Sequence, residues 1–183
     1  EEHEQPLSDI DHLQAIQAMI EELSDLSIFD ITENFFAQSY AMPLDFFAEL
    51  VFDLYNIRQG QDIALLLLLH PKMNIREMVL AAHEEIIDEV EFTPESLSRL
   101  QAIQNWYPSQ YHDQISRWIK IQRKKGVVFR TSNPGKIINI KASEVDGSGA
   151  QGIFIHLRFG RINQLCCILL KYNTGIKDVW MTP

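Results

Sequence analysis

The sequence predicts an α+β protein: an all-α, repeat-like helical domain over residues 1–126, followed by a small antiparallel β-meander over residues 127–183. Three observations predict it. Apolar residues recur at spacings of three and four through residue 125, bounded by helix start and stop signals. After Gly126 the apolar period shortens to two. The later apolar runs are joined by short turns such as Asp146-Gly147-Ser148-Gly149 and Asn173-Thr174-Gly175, which favour antiparallel neighbours.

Ser8 is placed to cap a first helix, with Asp11 three residues on and Leu13, Ile16, Met19, Ile20 and Leu23 on one face. Asp30 opens a short second helix carrying Phe35, Phe36 and Tyr40. Pro43 suits the first position of a third, which runs to Tyr55. That helix is apolar nearly all round. Its acids Asp45, Glu49 and Asp53 lie four apart on one solvent stripe, so it is expected between neighbours. Gly60 breaks the chain, and an apolar stretch from Gln61 stops at His70-Pro71, because proline disfavours helix at the residue before it. Asn74 and Glu77 are placed to cap the next helix, to about Asp88. Thr93-Pro94-Glu95 is a strong start for another, ending near Trp106. Ser109 opens the last helix, with Tyr111, Ile115, Trp118 and Ile119 on one side and Gly126 closing it after three cations. The strands expected are Lys136 to Lys141, Ile153 to Phe159, Leu165 to Tyr172 and Ile176 to Met181.

Residues 61–88 resemble a HEAT-type helical repeat. The resemblance rests on the apolar helix Ile63 to Leu69, Pro71, the Ile75-Arg76 pair and the small pair Ala81-Ala82, with His70 where that family usually has Asp. It implies a stack of helical hairpins that binds other macromolecules.

Composition excludes several classes. The longest apolar run, Ile63 to Leu69, is seven residues, against the roughly 20 that cross a bilayer as a helix. The acidic N-terminus lacks a signal-peptide plan. The two cysteines, Cys166 and Cys167, are adjacent, so on a strand they face opposite ways and do not pair. A reduced, cytoplasmic setting is expected. The six histidines and two cysteines do not form a zinc pattern, and His70 is read as a turn residue and His83 as a helix-surface one. Cys166 is read as a small buried hydrophobe. The acids from Glu84 to Glu91 lack the calcium-loop pattern and read as a solvated helix end. Nucleophile elbows and phosphate-binding glycine loops are absent. No cofactor, metal or catalytic residue is expected. An enzyme would have to draw on His156 of the sheet and His112-Asp113 of the last helix.

Charge is unevenly divided. Residues 1–116 hold 22 acids and 4 bases, whereas residues 117–141 hold 8 bases and no acid. Within that segment Arg117, Lys120, Arg123 and Lys124 share a helix face, and Lys125 and Arg130 extend it. These six form the candidate binding patch. The sequence therefore points to a non-catalytic interaction module or adaptor whose partner is another protein. The alternative is a nucleic-acid-binding or accessory protein that uses the basic segment 117–141.

Overall fold

The computed structural model describes residues 9–57, 59–130 and 135–182, with backbone alone for residues 9–12. The fold is α+β: among the described residues, seven α-helices precede a four-stranded antiparallel sheet. Two compact units divide between Arg130 and Thr131.

The helices are α1 Asp9–Glu22, α2 Ile28–Gln38, α3 Leu44–Tyr55, α4 Gly60–Leu66, α5 Met73–Ile86, α6 Pro94–Trp106 and α7 His112–Lys124. The expected Ser8 cap lies outside the described residues. α2 begins earlier than Asp30 suggests. Ser27 is its N-cap, and Asp30 takes the third position of a capping box: the Ser27 hydroxyl accepts from the Asp30 amide while the Asp30 carboxylate accepts from the Ser27 amide. α6 is capped as the sequence indicates, by Thr93 with Pro94 at the first position. Ser109 opens only a short 3-10 turn, Ser109–Tyr111, and α7 starts at His112.

α5 corrects the Asn74 cap. It starts at Met73 after Lys72, which offers no side-chain cap. The corner is built by His70 and Arg76 instead. Arg76 donates to the carbonyls of His70 and Pro71, and the Lys72 amide donates to Nδ1 of His70 at 3.0 Å.

The helical core comprises Phe35, Phe47, Leu50, Leu54, Ile63 through Leu68, Val79, Ile87, Leu97, Leu100, Ile115 and Trp118, all nearly or wholly buried. α3 packs chiefly on α5, α4 on α2 and α6, and α6 on α7. Gly60 does more than break the chain. A Cβ at this position would stand 1.9 Å from the Leu54 carbonyl oxygen, so the start of α4 is pressed against the end of α3.

The strands are β1 Lys136–Ala142, β2 Ala150–Phe159, β3 Ile162–Lys171 and β4 Gly175–Met181, in the meander order β1-β2-β3-β4. β2 and β3 pair without interruption from Ala150 with Lys171 to Phe159 with Ile162, each starting three residues earlier than its alternation alone indicates. Asp146 folds the first turn: its carboxylate accepts from the amides of Ser148 and Ala150 and from the Ser148 hydroxyl, contacts that hold the carboxyl below its usual range. Asn173 and Gly175 take left-handed conformations in the last turn. Cys166 and Cys167 are free and face opposite ways, as expected. Cys167 is the buried one, whereas Cys166 is only half-buried, which corrects the reading of Cys166.

Candidate functional site

The structure divides the six-residue basic patch. Arg117, on the first half of α7, pairs with Glu84 of α5. Glu84 also accepts from Trp118 Nε1 at 2.8 Å and Gln114 Nε2 at 2.9 Å. These donors, Arg117 foremost, hold the Glu84 carboxyl down to about 2. Glu84 is therefore a bridge between α5 and α7 rather than part of a solvated end. Glu84→Ala frees Arg117 and leaves the buried Trp118 N–H unpaired. With the Glu84 side chain 36% exposed, we expect a loss of about 1–2 kcal/mol in urea denaturation.

Lys125 is also committed to the fold. Its Nζ donates to the carbonyls of Asp88 and Val90, each at 2.7 Å, and more distantly to that of Ile87, so it caps the C-terminal end of α5. Arg130 pairs with Glu95 at 2.7 Å, and its amide donates to the Ser98 hydroxyl. Arg123 lies 5.7 Å from the Phe129 ring. Lys120, Arg123 and Lys124 remain together, lining a shallow, open depression on α7.

Three polar residues, Gln122, His83 and His70, explain how α7 and the corners are held, and their burial was not expected from the sequence. Gln122 is fully buried. Its carbonyl oxygen accepts from the Phe92 amide, and its amino group donates to the carbonyls of Ile87 and Val90. His83 is buried, not on the helix surface. It follows Ile75 and Val79 at a spacing of four and so falls on the apolar stripe of α5. Its Nδ1–H donates to the Val79 carbonyl, its ring stacks 5.7 Å from that of Trp118, and burial lowers its pKa to about 4. His70 is a turn residue, as expected, but a buried one. The Ser39 hydroxyl donates to the Phe36 carbonyl and so accepts from His70 Nε2–H at 2.8 Å, leaving Nδ1 for the Lys72 amide. Burial lowers the His70 pKa. His112, a candidate for acid-base chemistry, has Nε2 2.6 Å from the Tyr107 carbonyl, to which it donates.

The corner around His70 carries exposed apolar groups. Tyr40 follows α2, Leu44 opens α3, and Leu69 and Met73 flank the α4–α5 corner; Tyr40 and Met73 are each 62% exposed. The His70 ring lies 4.9 Å from Phe36, 5.9 Å from Phe47 and 6.3 Å from Tyr40, which brings the two corners together. Lys72 Nζ stands 3.9 Å over the Tyr40 ring. Trp106, 87% exposed, ends α6 beside Tyr107. Burial raises the Tyr107 hydroxyl to about 12, and it lies within the fields of Arg76 and Glu77 of α5. Tyr40, Leu44, Leu69, Met73 and Trp106 thus occupy the corners α2–α3, α4–α5 and α6–α7.

Two adjoining clefts share Ser24 and Gln59. The larger, about 370 Å³, presents Gln17, Glu21, Asn56 and Gln59 over Ile20 and Ile57. Among the described residues, no three His, Cys, Asp or Glu side chains gather as metal ligands, and no helix is long and apolar enough to cross a membrane.

Residues 43–126 match a family model described as "Y4lR second domain". The matched stretch runs from the residue before α3 to the glycine after α7. It therefore contains the α5–α7 bridge and every member of the basic patch except Arg130. The chain is also similar to "Uncharacterized protein y4lR" of Sinorhizobium fredii (strain NBRC 101917 / NGR234), 32% identical over 111 residues. That alignment covers 58% of this chain but only 21% of that protein's length. No solved structure matches.

Proposed function

We propose that this chain is a non-catalytic interaction module, an adaptor that offers the corner edge of its helical unit to a protein partner. The observation that supports this most directly is the set of exposed side chains Tyr40, Leu44, Leu69, Met73 and Trp106 at alternate helix corners. Aromatic residues and Met are enriched where proteins bind one another, and contiguous exposed apolar surface is uncommon elsewhere. The α4–α5 corner is held by His70 and Arg76, which satisfy its backbone, and His70 ties it to Ser39 at the end of α2. A corner held in this way loses little conformational freedom on binding. The acidic balance of residues 1–116 favours a partner with basic groups around an apolar anchor. The HEAT-type resemblance of residues 61–88 points the same way.

The test is affinity capture with the chain against a Tyr40→Ser/Met73→Ser/Trp106→Ser variant. These side chains are exposed, so circular dichroism should match. A protein held by the original chain and released by the variant supports the edge. Identical capture by both removes it.

A second reading, nucleic-acid binding, has one specific observation behind it: the depression formed by Lys120, Arg123 and Lys124. Arg117, Lys125 and Arg130 already have internal partners. If nucleic acid binds through the three remaining cations, the log–log salt slope should be about −3, against about −5 for all six.

A further inference from the structure

We infer that the apolar face of the sheet is a self-association surface, covered in solution by the same face of a second copy of this chain. The inference concerns the sheet unit and is independent of the helical corner edge.

The register sorts the strand residues into two faces. The odd-numbered residues of β2 and their cross-strand partners share one face. Ile140, Ile155, Cys166 and Met181 form one row across all four strands, and Ile153, Ile168 and Val179 form the next. Gln151 and Gln164 are the polar residues paired on this face, and no paired residue on it is charged. The charges go the other way: Lys136, Lys141, Arg158, Lys171 and Asp178 all pair with even-numbered residues of β2 or their partners.

This apolar face lacks the burial that a sheet needs. None of the paired residues on this face is fully buried. Within the strands, Cys167 alone is fully buried, and it belongs to the charged face. Ile140 is 55% exposed and Val179 52%. A sheet with one hydrophobic face folds stably when another layer covers that face.

Charge and size argue for a second copy as that layer. A face without charge offers nothing to steer or select a charged partner, whereas isologous pairing needs only that the patch complement itself. The cross-strand-paired cations Lys136, Lys141, Arg158 and Lys171 lie on the opposite face, so two apolar faces meet without bringing those four together. Strands of seven to ten residues at about 3.3 Å per residue and 4.8 Å between strands give a face of about 500 Å². Two such faces, packed about 10 Å apart as in a sandwich, bury about 1,000 Å², the threshold of a specific association. The dimer is therefore reversible and concentration-dependent rather than permanent.

The test is sedimentation velocity on the full chain from low micromolar to submillimolar concentration. Ile140→Lys and Val179→Lys place a cation on the face at half-exposed positions, where the fold tolerates it, and Lys141→Glu alters the other face. The expected result is a monomer–dimer equilibrium that Lys141→Glu preserves. Each lysine weakens it about tenfold or more, with unchanged circular dichroism. A chain that stays monomeric throughout the range overturns the inference, as does a dimer that survives both lysines.

Discussion

Gly60→Ala should destabilise the helical unit by about 3 kcal/mol or more, although alanine is the better helix former. The added Cβ would stand 1.9 Å from the Leu54 oxygen, 2.7 Å from its carbonyl carbon and 2.9 Å from its Cα. All three are backbone atoms, so a rotamer change cannot relieve the overlap. The start of α4 must separate from the end of α3, and both helices carry core residues that are wholly buried, among them Leu54 and Ile63. For a chain of this size that corresponds to a fall in Tm of about 10 °C, measurable by thermal circular dichroism. Gly126→Ala is the control. Gly126 is left-handed with φ 95° and has open space where its Cβ would lie. Its cost is conformational only, about 1–2 kcal/mol. Equal effects at the two glycines would contradict the close approach of α3 and α4.

Acidification should unfold the helical unit in two overlapping steps. His83 has a folded pKa of about 4 because burial disfavours its charged form, against 6.5 for an ordinary histidine. The unfolded chain therefore takes up a proton that the folded chain refuses. Stability is intact above about pH 6.5 and falls as the pH drops towards 4, by about 3 kcal/mol at the lower end. His70, also lowered by burial, adds to this step with the same sign. Glu84 acts below it. Its folded pKa is about 2, against an ordinary 4.5, so its contribution is present above pH 4.5 and is lost on the way to 2. Because its side chain is 36% exposed, that contribution is about 1 kcal/mol. Urea midpoints recorded against pH check both steps. His83→Leu should flatten the upper step and leave the lower one. A midpoint that does not move between pH 7 and 4.5 would rule out a buried, neutral His83.

Much of the architecture was legible because its signals are local. Thr93-Pro94 states a helix start in two residues, and Asp146-Gly147-Ser148-Gly149 states a turn in four. The change of period after Gly126 separated the helices from the strands. α2 starts earlier than Asp30 suggests because Ser27 is the cap and Asp30 closes the box from the third position. Contacts that are distant in sequence were less legible. A lysine, an arginine and a glutamate read as surface charges until the fold brings Lys125 to the end of α5 and Arg117 to Glu84. His83 and Gln122 did carry a signal. Each sits on an apolar stripe, His83 after Ile75 and Val79, and Gln122 after Ile115 and Trp118. A polar residue on such a stripe marks a buried hydrogen-bonding group as readily as it marks surface.

Three of the six cations of the basic patch, Arg117, Lys125 and Arg130, hold the helical unit together and are not free to bind. Fluorescence anisotropy with labelled single- and double-stranded oligonucleotides, across a salt series, tests it most directly. We expect at most weak binding, a slope of about −3 or shallower, and complete loss in Arg123→Glu/Lys124→Glu. Tight binding with a slope of about −5, retained by that double variant, would contradict the claim and would make Arg117, Lys125 and Arg130 phosphate ligands rather than struts.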